Sequence, residues 1–321
     1  MRAVVLDAFG PPANLRTTEL EDPAPGAGEV VVDVAVAGIT FVETQLRAGR
    51  PPHPSMLPEL PVVLGNGVGG VVVAAGDGVD PAMVGRRVVC SLRGRGGYAE
   101  QALAPAEALL DVRGGLDLRD AVAVLADGRT ALLTLRGLGL APGVRVLVLP
   151  AAGGVGTLLV QLARDAGAVV IGAARGARKL ELVESLGAQE TADSGEPDWA
   201  AGVGPVDVVV DGVGGADGRA AFERLRPGGR YARLGMASGG WAGVSQDEAA
   251  ERGVTLTGGP PPAPEELRRL AAEALAAVAA GRLRPVVGQT FPLERAADAH
   301  AAIEARETVG KTLLLVGAGG R

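Results

Sequence analysis

One short stretch in the middle of this 321-residue chain constrains its fold more than any other. Ala151-Ala152-Gly153-Gly154-Val155-Gly156 lies between an apolar run ending at Leu149 and a helical pattern beginning near Gly154. It matches G-x-G-x-x-G with alanine at the first position. The diphosphate of a dinucleotide needs bare backbone N–H groups and the positive end of a helix; Gly153 lets the chain approach it and Gly156 permits close packing of helix on strand. In a chain with 50 glycines a glycine pair alone says little. The strand before and the helix after give the motif its weight, and Gly153, Gly154, Val155 and Gly156 are expected to hold the diphosphate.

The surrounding pattern agrees. Apolar residues recur at helical spacing over Asp120 to Leu138, after which strand and helix alternate. Val144–Leu149, Val169–Ala173, Val206–Asp211, Arg230–Leu234 and Val254–Thr257 read as strands. Gly154–Ala166, Ala177–Leu186, Arg219–Leu225 and Pro264–Ala280 read as helices. This order predicts an α/β domain with a doubly wound parallel sheet over 119–282. Residues 1–118 have a different texture, with short strands over Glu29–Gly38, Val68–Ala75, Arg86–Leu92 and Tyr98–Leu103 separated by glycine-rich turns. Val30, Val32, Val34 and Val36 alternate along the first of these and predict one buried face. The Pro-rich stretch Arg50 to Pro61 reads as an exposed loop. The final segment, 283–321, ends in a strand over Thr312–Val316 and is expected to complete the first, β-rich domain.

Composition narrows the function classes. Hydrophobic residues make up 47% and charged residues 21%, with apolar runs interrupted by Gly, Pro or Arg, which excludes a disordered chain and a spanning helix. A net charge of −6 without a Lys/Arg cluster argues against nucleic-acid and membrane partners and for a small-molecule substrate. The single cysteine, Cys90, and two histidines, His53 and His300, supply neither a disulfide framework nor a multi-thiolate metal site, so no metal ligands are assigned. The start has no signal-peptide pattern, and a reducing cytoplasm is the expected compartment.

In a dinucleotide fold the second strand ends about 20 residues after the glycines, where an acidic side chain binds the ribose of NAD and a basic one accommodates NADP. That end is Ala173-Ala174-Arg175. No Asp or Glu occurs from Gly167 to Lys179, whereas Arg175, Arg178 and Lys179 do, so a 2′-phosphate is expected to meet cations and no repulsion. The cofactor expected is NADPH. A solvated helix start explains the same residues, since arginine is common here; Lys179 and Lys311, however, are the only lysines among 31 basic residues.

Taken together, the motifs resemble the zinc-independent branch of the medium-chain dehydrogenase/reductase superfamily, the quinone oxidoreductase (zeta-crystallin-like) group. The resemblance spans nearly the whole chain. It rests on Met1-Arg2-Ala3-Val4-Val5, Pro25 to Val30, Ala37 to Thr44, Gly65 to Val71, Gly97 to Glu100, Ala151 to Gly156, Asp211 to Gly215, Leu225 to Arg230, Gly235 to Gly239 and Gly310-Lys311. It implies a GroES-like catalytic domain built from both chain ends, a Rossmann domain between them, a cofactor in the cleft and a homodimer. It places Thr40, Glu43 and Asn66 at catalytic positions, Thr130 near the cofactor, and Ala174 and Val213 among its contacts. Gly235 and Met236 then fall beside the nicotinamide half, and Arg306 with Lys311 near the phosphates. For the last two, a charged helix end followed by an edge strand is the competing explanation.

Zinc-dependent relatives carry Cys where Thr40 stands and His where Asn66 stands. Without a metal, a carbonyl must be polarised by hydrogen bonds, which suits quinones and enones, whose hydride adducts are delocalised, with solvent supplying the proton. The chain departs from the resembled family, which commonly has Asn and Asp at Thr40 and Glu43 and Tyr at Leu132 and Ser194. Thr40 either donates a hydrogen bond to a bound carbonyl or nicotinamide amide, or is a buried structural residue; Glu43 either takes part or only caps and pairs. The expected activity is metal-free, NADPH-dependent hydride transfer to a quinone or other α,β-unsaturated carbonyl compound. Enoyl-thioester reduction and a non-redox NADPH-binding role are the alternatives.

Overall fold

The computed structural model describes residues 1–92, 94–112, 114–258 and 262–317. By compactness the chain divides into Met1–Ala126 with Ala271–Arg321, and Asp127–Leu270. Both changes fall within helices rather than where the sequence texture shifts, near 118 and 283.

The first unit begins with strands β1 (Arg2–Leu6), β2 (Leu15–Glu19), β3 (Glu29–Ile39), β4 (Val62–Val63), β5 (Gly67–Ala75), β6 (Arg87–Ser91), β7 (Gln101–Pro105) and β8 (Leu110–Asp111), with one short helix, α1 (Phe41–Arg47). Strands β2, β1 and β4 form a small sheet. The larger sheet centres on β3, which pairs antiparallel with both β5 and β7. The expected single buried face of β3 is not what forms. Val30, Val32 and Val34 share a core with Ala37 and Ile39, a slip from even to odd positions, and the pairing with β5 shifts between Val34 and Val36. A bulge inserts one residue and moves every later side chain to the opposite face. Gly38 is thereby turned toward Val122 and Lys311. The stretch from Pro52 to Leu57 is exposed, as expected for the Pro-rich segment, with one tight turn at Pro54–Met56.

Helix α2 (Leu118–Arg136) leads into the second unit. There β9 (Arg145–Leu149), α3 (Gly154–Asp165), β10 (Val169–Ala174), α4 (Ala177–Ser185), β11 (Glu190–Asp193), β12 (Val206–Asp211), α5 (Gly215–Phe222), β13 (Leu225–Arg233), α6 (Gln246–Glu251), β14 (Thr255–Thr257) and α7 (Pro264–Ala279) follow. The six strands pair in parallel in the order β11-β10-β9-β12-β13-β14. This is the doubly wound Rossmann order, with the topological switch between β9 and β12. Strand β11 and helix α6 are additions to the sequence reading, and α5 begins four residues earlier than its apolar spacing indicates. The interior is built by Leu147, Leu149, Ile171, Val209, Phe222 and Tyr231, with Phe222 and Tyr231 edge to face at 5.3 Å.

The chain then returns to the first unit through β15 (Val287–Pro292), α8 (Ala296–Glu304) and β16 (Lys311–Leu315). Strand β16 lies antiparallel on β3 and parallel to β15, extending the large sheet to the order β15-β16-β3-β5-β6-β8. Leu293, Ala296 and Ala299 join the core of the first unit, so the final segment completes it. Among the described residues no helix is long and apolar enough to cross a membrane.

Candidate functional site

In the second unit the site is assembled where parallel strands end. The N–H groups of Gly154, Val155 and Gly156 precede the first backbone bond of α3, from Thr157 N–H to the Gly153 carbonyl at 2.9 Å, and among the described residues no side chain caps the helix. They form a row of unspent donors at the positive end of a 12-residue helix. The two expected glycines differ in what demands them. A Cβ on Gly156 would lie 2.0 Å from the Pro150 carbonyl oxygen, so the helix can approach the strand only because that position is bare. A Cβ on Gly153 would touch nothing closer than 3.6 Å within the protein. The space Gly153 leaves is open to a ligand, and the cradle fits a diphosphate.

Neighbouring strand ends are stitched to this turn. Ala151 N–H donates to the Ala173 carbonyl at 2.8 Å and Gly212 N–H to the Leu149 carbonyl at 2.6 Å, while Leu234 and Gly235 N–H both donate to the Asp211 carbonyl. Asp211, almost fully buried, accepts from Val213 N–H, Gly214 N–H and the Tyr231 hydroxyl at 2.8, 2.8 and 2.5 Å. Burial raises its carboxyl, and these donors oppose that rise. The network brings Gly153–Gly156, Ala174, Arg175, Val213, Gly235 and Met236 to one edge of the sheet, at the carboxyl ends where ligands of doubly wound folds bind. Thr130 lies on α2, its carbonyl accepting from the Thr134 hydroxyl at 2.8 Å.

The corner expected to hold a 2′-phosphate is not free of acid. Arg175 is exposed and its guanidinium lies 3.2 Å from Asp217. Lys179 is half-buried in the first turn of α4. Asp193, at the end of β11, stands level with Ala174 in the strand register. Its carboxylate accepts from Gly176 N–H at 3.0 and 3.1 Å and from Gly195 N–H at 2.8 Å. The Gly176 and Gly195 donors hold this carboxyl below the usual range. The acid at this corner comes from the adjacent strand β11 and not from β10, whose own residues carry none.

The first unit contains a second polar cluster. Thr40 caps α1 in a capping box, T-x-x-E, with Glu43. Glu43 is 1% exposed; its Oε2 accepts the Thr40 N–H at 2.5 Å and the Thr40 hydroxyl at 3.1 Å, and its Oε1 accepts the Asn66 N–H at 2.6 Å. Burial raises its carboxyl, opposed by the Thr40 bond and by the charge of Lys311. Lys311 is 4% exposed, with its side chain against Gly38. Asn66 Oδ1 is engaged by the Gly94 N–H at 2.9 Å. Behind them the buried Tyr98 hydroxyl meets His300 Nε2 at 3.1 Å. Gly65, at φ +108°, has to be glycine, since a Cβ would fall 2.7 Å from the Tyr98 ring. Burial, then the Arg47 charge, pulls His300 down to about 3, so its imidazole is neutral.

This cluster brings Thr40, Glu43, Asn66 and Lys311 together. Arg306, of the same unit, adopts a left-handed backbone at φ 59° just past the end of α8. Among the described residues no group of three or more His, Cys, Asp or Glu is placed to hold a metal ion. The Thr40 hydroxyl lies 3.1 Å from Glu43 Oε2, the oxygen that also accepts the Thr40 N–H, so the two side chains brace one another at the start of α1.

Residues 26–114 match the model of the alcohol dehydrogenase GroES-like domain, and residues 186–314 match that of the zinc-binding dehydrogenases. The chain is 34% identical to a 2-haloacrylate reductase from Burkholderia sp, over 98% of each chain. It is 32% identical to a quinone oxidoreductase of Pseudomonas aeruginosa, over 96% of this chain and 97% of the relative. The Escherichia coli quinone oxidoreductase, solved in complex with NADPH, superposes with a TM-score of 0.88 at 28% identity, covering 98% of this chain and all of that one.

Proposed function

The chain belongs to the zinc-independent, quinone oxidoreductase-like branch of the medium-chain dehydrogenase/reductase family, and from that membership we propose that it is an NADPH-dependent reductase of quinones or other α,β-unsaturated carbonyl compounds. The observation that carries the reading is the bare helix N-terminus at Gly153–Gly156, heading a sheet in Rossmann order. NADPH, when bound, supplies the hydride. Gly154, Val155 and Gly156 N–H would hold the diphosphate, Arg175 and Lys179 the ribose phosphate, and the Gly235–Met236 turn the nicotinamide half. Thr40, held by Glu43, would hydrogen-bond a bound carbonyl or the nicotinamide amide. The substrate needs no metal, because a conjugated acceptor delocalises the charge it gains and takes its proton from solvent.

The names of two relatives support this acceptor class. Quinones and 2-haloacrylates are both conjugated acceptors, and they differ in charge. The single thiol, Cys90, is fully buried and pushed up to about 12, which makes it inert as a nucleophile and compatible with a reducing cytoplasm. A homodimer is the assembly we assign on family grounds, to be tested by light scattering on the eluted protein.

The decisive experiment follows NADPH and NADH absorbance while purified protein is mixed with 1,4-naphthoquinone, a simple cyclic enone or 2-chloroacrylate, against a protein-free blank. Protein-dependent consumption favouring NADPH is the expected result. Saturable NADPH binding with no consumption by any acceptor would overturn the redox reading in favour of a non-redox binding role.

A further inference from the structure

We propose that Asp193 sets how strongly this chain prefers NADPH over NADH, by opposing the 2′-phosphate at the corner where the adenosine ribose is held. The inference rests on the dinucleotide reading above and adds a residue which that reading does not contain.

The ribose corner is fixed by the fold. Strand β10 is the second strand of the Rossmann order, it ends at Ala174, and Gly176 lies 20 residues beyond Gly156. This is the position from which dinucleotide folds address the ribose 2′ substituent. Two features meet there. The Gly176 N–H, the first donor of the turn into α4, is already spent on both oxygens of the Asp193 carboxylate at 3.0 and 3.1 Å. The basic group of the same turn, Arg175, is partnered by Asp217 at 3.2 Å. Asp193 is anchored a second time by Gly195 N–H at 2.8 Å, so its charge is held in place rather than free to swing into solvent. A Cβ added to Gly195 would lie 3.0 Å from Asp193 Oδ1 and 3.9 Å from the Arg175 side chain, so the carboxylate and the arginine flank the same small space.

A dianionic phosphate entering this space gains Arg175 and Lys179 but meets a fixed negative charge and finds the Gly176 donor taken. A ribose hydroxyl has the opposite balance, because a carboxylate accepts its hydrogen bond. Asp193 therefore plays from the third strand the part that an acid at the end of the second strand plays in NAD-binding folds. It narrows a preference that Arg175 and Lys179 create.

The test is a fluorescence titration of the whole protein with NADPH and with NADH, for wild type, Asp193→Asn and Asp193→Ala, each at low and high salt. Asn keeps an acceptor for the Gly176 or Gly195 N–H and removes the charge. The expected result is NADPH binding tightened about three- to tenfold in Asp193→Asn, with NADH changed by less than about twofold. The gain should shrink at high salt, where exposed charges are screened. Equal changes for both cofactors, weaker NADPH binding in Asp193→Asn, or a gain indifferent to salt would overturn the proposal. Asp193 would then be only a brace for the Gly176 and Gly195 turns, and Asp193→Ala would weaken both cofactors alike. Failure of the underlying reading looks different: wild-type protein would bind neither cofactor, and both proposals would fall together.

Discussion

The Asn66 N–H sits 2.6 Å from Oε1 of Glu43, a bond between residues 23 apart that ties the turn before β5 to the first turn of α1. With Thr40 on the other oxygen, the carboxylate is the common acceptor of two segments that sequence places well apart. Replacing Glu43 with Ala strands these donors in a buried position, and should lower stability by about 2–4 kcal/mol. Glu43→Gln keeps one acceptor oxygen and should lose about half as much. Urea unfolding of both variants measures this, and an alanine variant within about 0.5 kcal/mol of wild type would show that the bonds contribute nothing.

Gly153 and Gly156 separate binding from folding. Gly156→Ala forces a methyl onto the Pro150 carbonyl, 2.0 Å from its ideal position, so both stability and dinucleotide binding should fall, the former by about 1–3 kcal/mol. Gly153 has an extended backbone, φ −81° and ψ 173°, that any residue adopts. Gly153→Val should therefore keep the melting temperature while weakening NADPH by at least about tenfold, since only the ligand needs that space. Calorimetric melting beside a binding titration distinguishes the two, and unchanged NADPH binding in Gly153→Val would remove Gly153 from the cradle.

The basic residues at the head of α4 carry a third expectation. Changing Arg175 and Lys179 together to Ala should weaken NADPH about tenfold or more and NADH much less, because charge-assisted contacts to phosphate are lost only in the first case. Equal losses would assign these residues to the helix start alone. The effect runs opposite to that of Asp193→Asn, so the two variants bracket the same corner.

What was legible in the sequence follows physical lines. The turn at Gly153–Gly156 demands a strand, a tight approach and a helix in immediate succession, and all three leave local marks. The parallel order of strands follows from alternation with helices. Strand β11 left no mark: it is a four-residue edge strand, Glu190-Thr191-Ala192-Asp193, without an apolar face, and Asp193 was invisible with it. The phase slip in β3 was hidden because valine occupies both faces, so alternation looks unbroken across the bulge. The capping box of Thr40 and Glu43 is written in the sequence, whereas the reach of Glu43 to Asn66 and of Tyr98 to His300, 202 residues away, depends on tertiary pairing.

That last pair gives a pH dependence with a definite sign. His300 is fully buried, bonded through Nε2 to the Tyr98 hydroxyl, while its Nδ1 has no hydrogen-bond partner among the described residues; burial and the nearby Arg47 lower its pKa from 6.5 to about 3. The folded protein thus excludes a proton that the unfolded chain takes up below about pH 6.5. Its contribution to stability is complete above that value and is lost as pH falls toward 3, with a limiting slope of about 1.4 kcal/mol per pH unit. Carboxylates add their own acid sensitivity, so the informative quantity is a difference. His300→Gln, whose amide can still donate to the Tyr98 hydroxyl, should start less stable at pH 7 yet lose less stability between pH 6 and 4 than wild type. Urea unfolding at a series of pH values measures both slopes. Parallel curves would mean that His300 becomes protonated within the folded state, against the buried, neutral imidazole described here.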